Sequence, residues 1–354
     1  MFKHALRNIR LIIGKQLIDK PISKCHLNVG NLSKILFVRY DGKIGDYIVS
    51  SFVYEQIKKQ NPTVQIDVVA TKANGAIIEK DKSINNLFII KSKSYSARIA
   101  MAIQLRKQHY DVLFDATPGL LRNRDLLFIR LVQASINIGY AKENYKLFNL
   151  NLPIQEVHTA IIYQQMMRLL GYESDSIRYV IPENKKASEE SEAFLNGISN
   201  KKIITVNLLG ASRSRKFNKE NAIVLLKNVL SFFPNSTIVV LTYPQVNNWV
   251  KEIIDILESK HVISFFGTTS IFHTIAIIKK SALVITPDTV AVHISDAYNV
   301  PLVAFYSMER ENFVYWHSVQ DNAITVRYQD NINQLTESQF KDAFQQTLAV
   351  INFN

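Results

Sequence analysis

Short apolar runs of β type alternate with helical stretches twice along this chain, and a polar segment separates the two series. No other feature restricts the fold as much. The first series opens at Lys34–Arg39 (KILFVR), which the turn Tyr40-Asp41-Gly42 closes. A helical pattern runs from about Asp46 to Lys59, Asn61-Pro62 breaks it, and Gln65–Ala70 reads as the next strand. Leu87–Ile90, Val112–Asp115 and Ile136–Gly139 are further strand candidates, with helical stretches near Ala97–Gln108 and Asp125–Gln133. A helix over roughly Val157–Leu170 stops at Gly171, and the polar segment Glu183–Ser199 marks a domain boundary. Beyond it, strands at Ile203–Leu208, Thr237–Leu241, Val262–Ser264, Ala282–Ile285 and Pro301–Tyr306 alternate with helices at Lys219–Phe232, Asn248–Glu258, Ser270–Lys279 and Asp288–Tyr298. Such alternation builds parallel sheets covered on both faces. The expected class is therefore α/β, with two Rossmann-like, doubly wound domains in series. The expected limits are a basic N-terminal segment 1–30, a first domain 31–182, a linker 183–200, a second domain 201–335 and a closing helix 336–354. Thr336-x-x-Gln339 opens that helix as a capping box. It either finishes the second domain or crosses back to brace the first.

A chain of 354 residues, 47% of them apolar, can fill two cores of ordinary size. The lone Cys25 excludes an intramolecular disulfide and any all-cysteine metal site, which fits a reducing cytoplasm. The formal charge of +12 favours nucleic acid, an anionic lipid surface or a phosphate-rich substrate. No helix-turn-helix, zinc-finger or RNP-type pattern supports nucleic acid, so an acidic lipid surface and a phosphorylated glycolipid remain as partners. Phe2, Leu6, Ile9, Ile13 and Leu17 share one helical face, while Lys3, Arg7, Arg10, Lys15 and Lys20 lie mostly elsewhere. Charges interrupt this stretch too often for a signal peptide or a membrane span. A basic amphipathic helix in the headgroup region and a helix packed on the protein's own surface both fit the pattern.

Three loops carry candidate chemistry, each at the carboxyl end of an expected strand, where open α/β sheets bind ligands. The string Asp288-Thr289-Val290-x-x-His293 follows ALVIT and Pro287. Asp or Thr can cap the helix, whose free N–H groups and partial positive charge suit a phosphate. His293, one turn after Thr289, either projects near the same ligand or packs in the core. The second loop, Ala211-Ser212-Arg213-Ser214-Arg215-Lys216-Phe217, places three cations and two hydroxyls after IITVNLLG. That set can cradle a diphosphate, or it is a solvated basic loop. The third, Asp41-Gly42-Lys43-Ile44-Gly45-Asp46, has glycines that permit a tight turn. Its spacing is too short for a dinucleotide fingerprint, and Asp46 is either an N-cap or a catalytic carboxylate. The patterns G-x-x-x-x-G-K-[ST], H-E-x-x-H, G-x-S-x-G and D-x-D are absent from the chain. The remaining histidines have no ligand-like spacing, and no metal site is expected.

KILFVRYDGKIGDYIVSS, ASRSRKF, FGTTSIFHTIAIIKKSALVIT and PDTVAVHISDAYNVPLVAFY, in that order over about Lys34 to Tyr306, resemble the motifs of the bacterial ADP-heptose:lipopolysaccharide heptosyltransferases (glycosyltransferase family 9). The resemblance implies a GT-B fold with the site in a cleft between the domains. It also implies inverting transfer of a heptose from ADP-heptose to a lipopolysaccharide or lipooligosaccharide core, without a metal or other cofactor, at the inner face of the cytoplasmic membrane. On this basis Asp46 matches the general base, with Asp41, Gly42, Lys43 and Gly45 as the acceptor-side loop. Lys216 and Ser212 match donor-phosphate contacts, with Arg213 and Arg215 beside them, and Asp288, Thr289 and His293 match the donor-binding string. Three departures stand out. Val290 replaces the family's glycine, Leu241-Thr242-Tyr243-Pro244-Gln245 lacks the acidic residue usual there, and the loop after Tyr306 lacks Gly-Pro-Thr character. They keep open another nucleotide sugar as donor, or a sugar-nucleotide-binding relative without turnover.

Overall fold

The computed structural model describes residues 14–22, 32–119, 121–174, 176–199 and 202–350. Its first compact unit, Met1–Pro182, holds β1 (Lys34–Arg39), β2 (Gln65–Thr71), β3 (Asn86–Ile90), β4 (Val112–Asp115), β5 (Ile136–Tyr140) and β6 (Leu150–Leu152). Every pairing is parallel, in the order β3-β2-β1-β4-β5-β6. The helices are α1 (Ile44–Gln60), α2 (Lys72–Ile78), α3 (Tyr95–Arg106), α4 (Asn123–Val132) and α5 (Thr159–Leu169). Side chains of a strand point alternately to opposite faces. In β1, Leu36 and Val38 therefore meet Leu126, Phe128 and Ile129 of α4. Phe37 instead packs edge-on against Tyr54 of α1, with ring centroids 4.8 Å apart. With helices on both faces, the central strands are continuous apolar runs, as the sequence reads.

The second unit, Glu183–Asn354, repeats the plan. Its strands are β7 (Ile203–Val206), β8 (Thr237–Val240), β9 (Val262–Ile263), β10 (Leu283–Pro287), β11 (Leu302–Ser307) and β12 (Ala323–Tyr328), in the order β12-β11-β10-β7-β8-β9. Its helices are α6 (Lys185–Asn196), α7 (Lys219–Phe232), α8 (Asn247–Leu257), α9 (Ile271–Lys279), α10 (Val290–Tyr298), α11 (Arg310–Trp316) and α12 (Glu337–Val350). In each sheet the chain steps outward over three strands and then returns to the other side of the first. The reversal leaves a switch point between β1 and β4, and another between β7 and β10.

Several elements differ from expectation. The segment 183–200, expected as a linker, contains α6. Asn184 caps that helix by accepting from the Ala187 N–H, and Ala187, Ser191 and Leu195 form a buried stripe. The stripe is small-residue and sparse, so a polar composition conceals it. Glu190 of α6 hydrogen-bonds His273 of α9 at 2.9 Å. The closing helix finishes the second unit's own core: Phe344 of α12 packs on Phe232 and Phe233 of α7, with centroids 5.7 and 5.8 Å apart. α2, β6, α11 and β12 have no counterpart in the sequence reading.

Of the N-terminal stripe, Phe2, Leu6, Ile9 and Ile13 lie outside the described residues, as does Cys25. Residues 14–18 are helical. Ile18 and Ile22 pack against the first unit's core, and buried Asp19 accepts a 2.8 Å hydrogen bond from the Leu147 N–H. Leu17 is exposed. No helix among the described residues is long and apolar enough to cross a membrane.

Candidate active site

At the second unit's switch point, β7 and β10 end side by side, and three strings of sequence meet there. Asn207, just past β7, is buried and donates from its amide to Thr286 Oγ1 at 3.0 Å and Thr289 Oγ1 at 3.1 Å. Its own Oδ1 accepts from the Leu209 N–H at 3.1 Å, turning the chain into the basic loop. Thr289 is the N-cap of α10: its backbone is extended and its hydroxyl accepts from the Ala291 N–H at 3.3 Å. Asp288, one residue earlier, is buried and takes no part in the cap. Its carboxylate accepts from the Asn312 amide of α11 and pairs with Arg215 Nη1 at 3.0 Å. The hydroxyl at the cap and the carboxylate behind it thus have separate duties.

The basic loop is pinned at both ends. The Phe217 N–H donates to the Leu208 carbonyl at 3.1 Å, and the Phe217 ring is buried in the core. Gly210 lies where a Cβ would fall 2.3 Å from the Arg215 carbonyl oxygen, so only glycine lets the loop fold back this closely. Between these anchors the cations diverge. Arg213 is exposed, Lys216 is half-buried with Nζ 4.9 Å from the Trp249 ring, and the exposed Ser212 hydroxyl bonds that of Ser214 at 2.8 Å. Arg215 is tied to Asp288, so its charge is matched inside the protein and the expected set of three cations becomes two. Arg213, Lys216 and the positive N-terminal end of α10 leave this edge suited to an anion.

His293 is buried beside Trp316, with ring centroids 6.0 Å apart, and its Nδ1 is 3.9 Å from Asp296 Oδ2. Val290 is the first residue of α10 and is half-buried.

In the first unit the loop after β1 is equally defined. Gly42 has φ +74°, in the left-handed region, and the Lys43 N–H donates to Asp41 Oδ1 at 2.8 Å. Lys43 is the N-cap of α1, with no capping hydrogen bond from its side chain. Asp46 is therefore not the cap, which corrects one of the two expectations for it. It lies in the first turn with Gly45, where a carboxylate complements the helix terminus. It is 20% exposed and sits 3.8 Å from Lys43 Nζ. Behind the loop lies Arg39, the last residue of β1, which is buried against Tyr163 of α5 and whose Nε is 3.7 Å from Asp41 Oδ2. Asn207, Gly210, Asn312 and Arg39 were all passed over by sequence reasoning. Only Gly210 carries a local signal, a glycine directly before a basic loop.

Residues 98–344 match the family described as glycosyltransferase family 9 (heptosyltransferase). A protein of Escherichia coli (strain K12), provisionally named lipopolysaccharide heptosyltransferase 4, is 24% identical over 309 residues, which are 86% of this chain and 83% of that protein. Among solved structures, a glycosyl transferase of family 9 from Veillonella parvula DSM 2008 superposes with a TM-score of 0.75 at 17% identity, covering 92% of this chain and 99% of its own. The E. coli heptosyltransferase WaaC, solved with ADP, gives 0.66 at 15% identity, over 89% and 99% of the two chains. At these identities the likeness is one of fold: an α/β chain of GT-B type with two six-stranded parallel sheets.

Proposed function

Since this chain belongs to glycosyltransferase family 9, the heptosyltransferases, we propose that it transfers a heptose from ADP-heptose to the core of a lipopolysaccharide or lipooligosaccharide. The observation that supports this most is the 3.0 Å ion pair between Arg215 and Asp288. It ties the ASRSRKF loop to the N-terminus of α10 at a sheet switch point, where an open α/β sheet receives its ligand. In the proposed reaction Asp46 takes the proton of an acceptor hydroxyl as that oxygen attacks the anomeric carbon. The bond from the anomeric carbon to the diphosphate oxygen breaks, ADP leaves, and the sugar's configuration inverts. Lys216, Arg213 and the positive N-terminal end of α10 face the charge that gathers on the leaving diphosphate. These side chains and the helix terminus meet that charge in the proposed reaction, so it calls on no metal or other cofactor. The net charge of +12 and a glycolipid acceptor support a peripheral position at the inner face of the cytoplasmic membrane.

Calorimetric titration with ADP-, GDP-, UDP- and CMP-sugars tests the donor. Saturable binding of ADP-heptose alone is expected. Preference for another nucleotide moves the donor assignment, and binding of none of them removes it. Lys216→Ala is expected to weaken ADP-heptose binding roughly tenfold or more, since hydrogen bonds to charged groups contribute about 1.5–3 kcal/mol. Transfer should slow as well, because a cation facing the diphosphate acts in ground and transition states alike. Unchanged affinity and rate would leave residues 211–217 as a surface loop.

A further inference from the structure

The loop after β4 stands at the first unit's switch point, beside the loop after β1 that carries Asp46. β1 and β4 pair in parallel with Phe37 opposite Phe114, and Asp115 ends β4 one residue beyond that pair. Two buried charged side chains hold this second loop from the interior. Asp115 is fully buried, and its Oδ1 accepts from the Thr117 N–H at 3.0 Å. Lys142, 1% exposed, holds the same residue by its other backbone group: Nζ donates to the Thr117 carbonyl at 2.5 Å and to the Gly119 carbonyl at 2.9 Å. The Tyr145 hydroxyl, three residues on, accepts from the Leu121 N–H at 2.9 Å. Pro118 and Gly119 are left exposed.

The chain after β5 is built to aim Lys142 inward. Ala141, just before it, has φ +54°, in the left-handed region that a residue with a Cβ adopts at a cost. Two hydrogen bonds to the end of β6 fix this turn, from the Ala141 N–H to the Leu152 carbonyl at 2.9 Å and from the Lys142 N–H to Asn151 Oδ1 at 2.7 Å. Gly139 clears the way for the side chain, since a Cβ there would fall 2.5 Å from Lys142 Cγ. Burial pushes the Lys142 ammonium below the ordinary lysine range and the Asp115 carboxyl above its own. A methionine of similar length would fill this space without that cost. What the ammonium provides instead is a fixed path for the backbone from Thr117 to Gly119.

We propose that Lys142 is a positioning residue for the acceptor: it sets the Thr117–Gly119 backbone, and that loop receives the acceptor sugar at the first unit's switch point. The proposal rests on the reading that the first unit takes the acceptor and the second the donor.

The test is steady-state kinetics of the full chain and its Lys142→Met and Gly119→Ala variants with ADP-heptose and a heptose-deficient lipooligosaccharide core, each assayed well below its melting temperature. Lys142→Met keeps the length of the side chain and loses its donors. It should raise KM for the acceptor about tenfold or more, the scale of hydrogen bonds made by a charged group, while kcat and KM for ADP-heptose stay close to the parent values. A change confined to KM marks binding made equally in ground and transition states. A merely structural role would lower the active fraction, and so kcat, and leave both KM values in place. Gly119→Ala disturbs the loop alone, because a Cβ there meets no atom within 4 Å while φ is +81°. It should raise the acceptor KM in the same direction. If Lys142→Met does not fold, Lys142→Gln, whose amide still donates to one carbonyl, carries the same expectation in smaller measure. An acceptor KM unmoved in the Lys142 variants overturns the role of Lys142, and one unmoved in Gly119→Ala overturns the loop's contact with the acceptor. Absence of transfer by the parent chain overturns the functional reading instead. Amide hydrogen exchange then still reads the clamp, which predicts faster exchange at Thr117 and Leu121 in Lys142→Met, and unchanged exchange would overturn it.

Discussion

Asp46→Asn is expected to cut turnover at least ~100-fold while donor affinity stays close to that of the parent protein, the usual scale for losing a positioned general base. The substitution preserves shape, and Lys43 rather than Asp46 occupies the cap of α1. The fold should lose only about 0.3–1 kcal/mol, the worth of a charge in a helix's first turn. Donor binding is spared because the proposed donor groups, Arg213, Lys216 and the start of α10, belong to the second unit. Steady-state kinetics together with calorimetry separate the two quantities. A variant that keeps most of its turnover takes Asp46 out of the chemistry.

Asp288→Ala is expected to have the largest effect on stability of any single change at the site. Its carboxylate is buried and holds Arg215, which is only 26% exposed, together with the Asn312 amide. Removing one member of such a pair leaves the other charge poorly compensated, at a cost of about 3 kcal/mol. In a unit of this size that is a fall of roughly 6–12 °C in melting temperature. The basic loop also loses its tie to α10, so donor affinity should fall with stability. Asp288→Asn, which keeps an acceptor for Asn312, should destabilise less. An unchanged melting temperature in the alanine variant would show that the pair does not hold the loop. Thermal unfolding followed by circular dichroism checks both variants.

The Asp288 pair also shows where sequence reasoning stops. The strands β1, β7 and β10 are legible because buried parallel strands are uninterrupted Val, Ile and Leu, and the loops after them stand out by contrast. That Arg215 turns inward to Asp288, while Lys216 next to it does not, depends on the tight fold at Gly210 and has no local mark. For Asp46, spacing alone does not decide between a helix starting at Ile44 and one starting two residues later. Lysine is a poor capping residue, so Lys43 gives no warning that it occupies the cap. His293 falls on the expected helical face and is buried, with the ring of Trp316 6.0 Å away on α11, a helix that has no clear sequence signal. β12 is a different matter, because AITVRY is a β-branched run that periodicity alone supports. The helix α6 is hidden by its composition, since its buried positions are Ala187, Ser191 and Leu195, and Phe194 adds a large apolar contact by stacking on Phe265.

The measurement closest to the central claim is a transfer assay with the purified full chain, ADP-heptose and a heptose-deficient lipooligosaccharide core, followed by mass spectrometry of the acceptor and quantitation of ADP. Gain of one heptose per acceptor with an equal amount of ADP released, both lost in Asp46→Asn, is the expected result. Release of ADP without heptosylated acceptor, or transfer that persists undiminished in Asp46→Asn, would contradict the account.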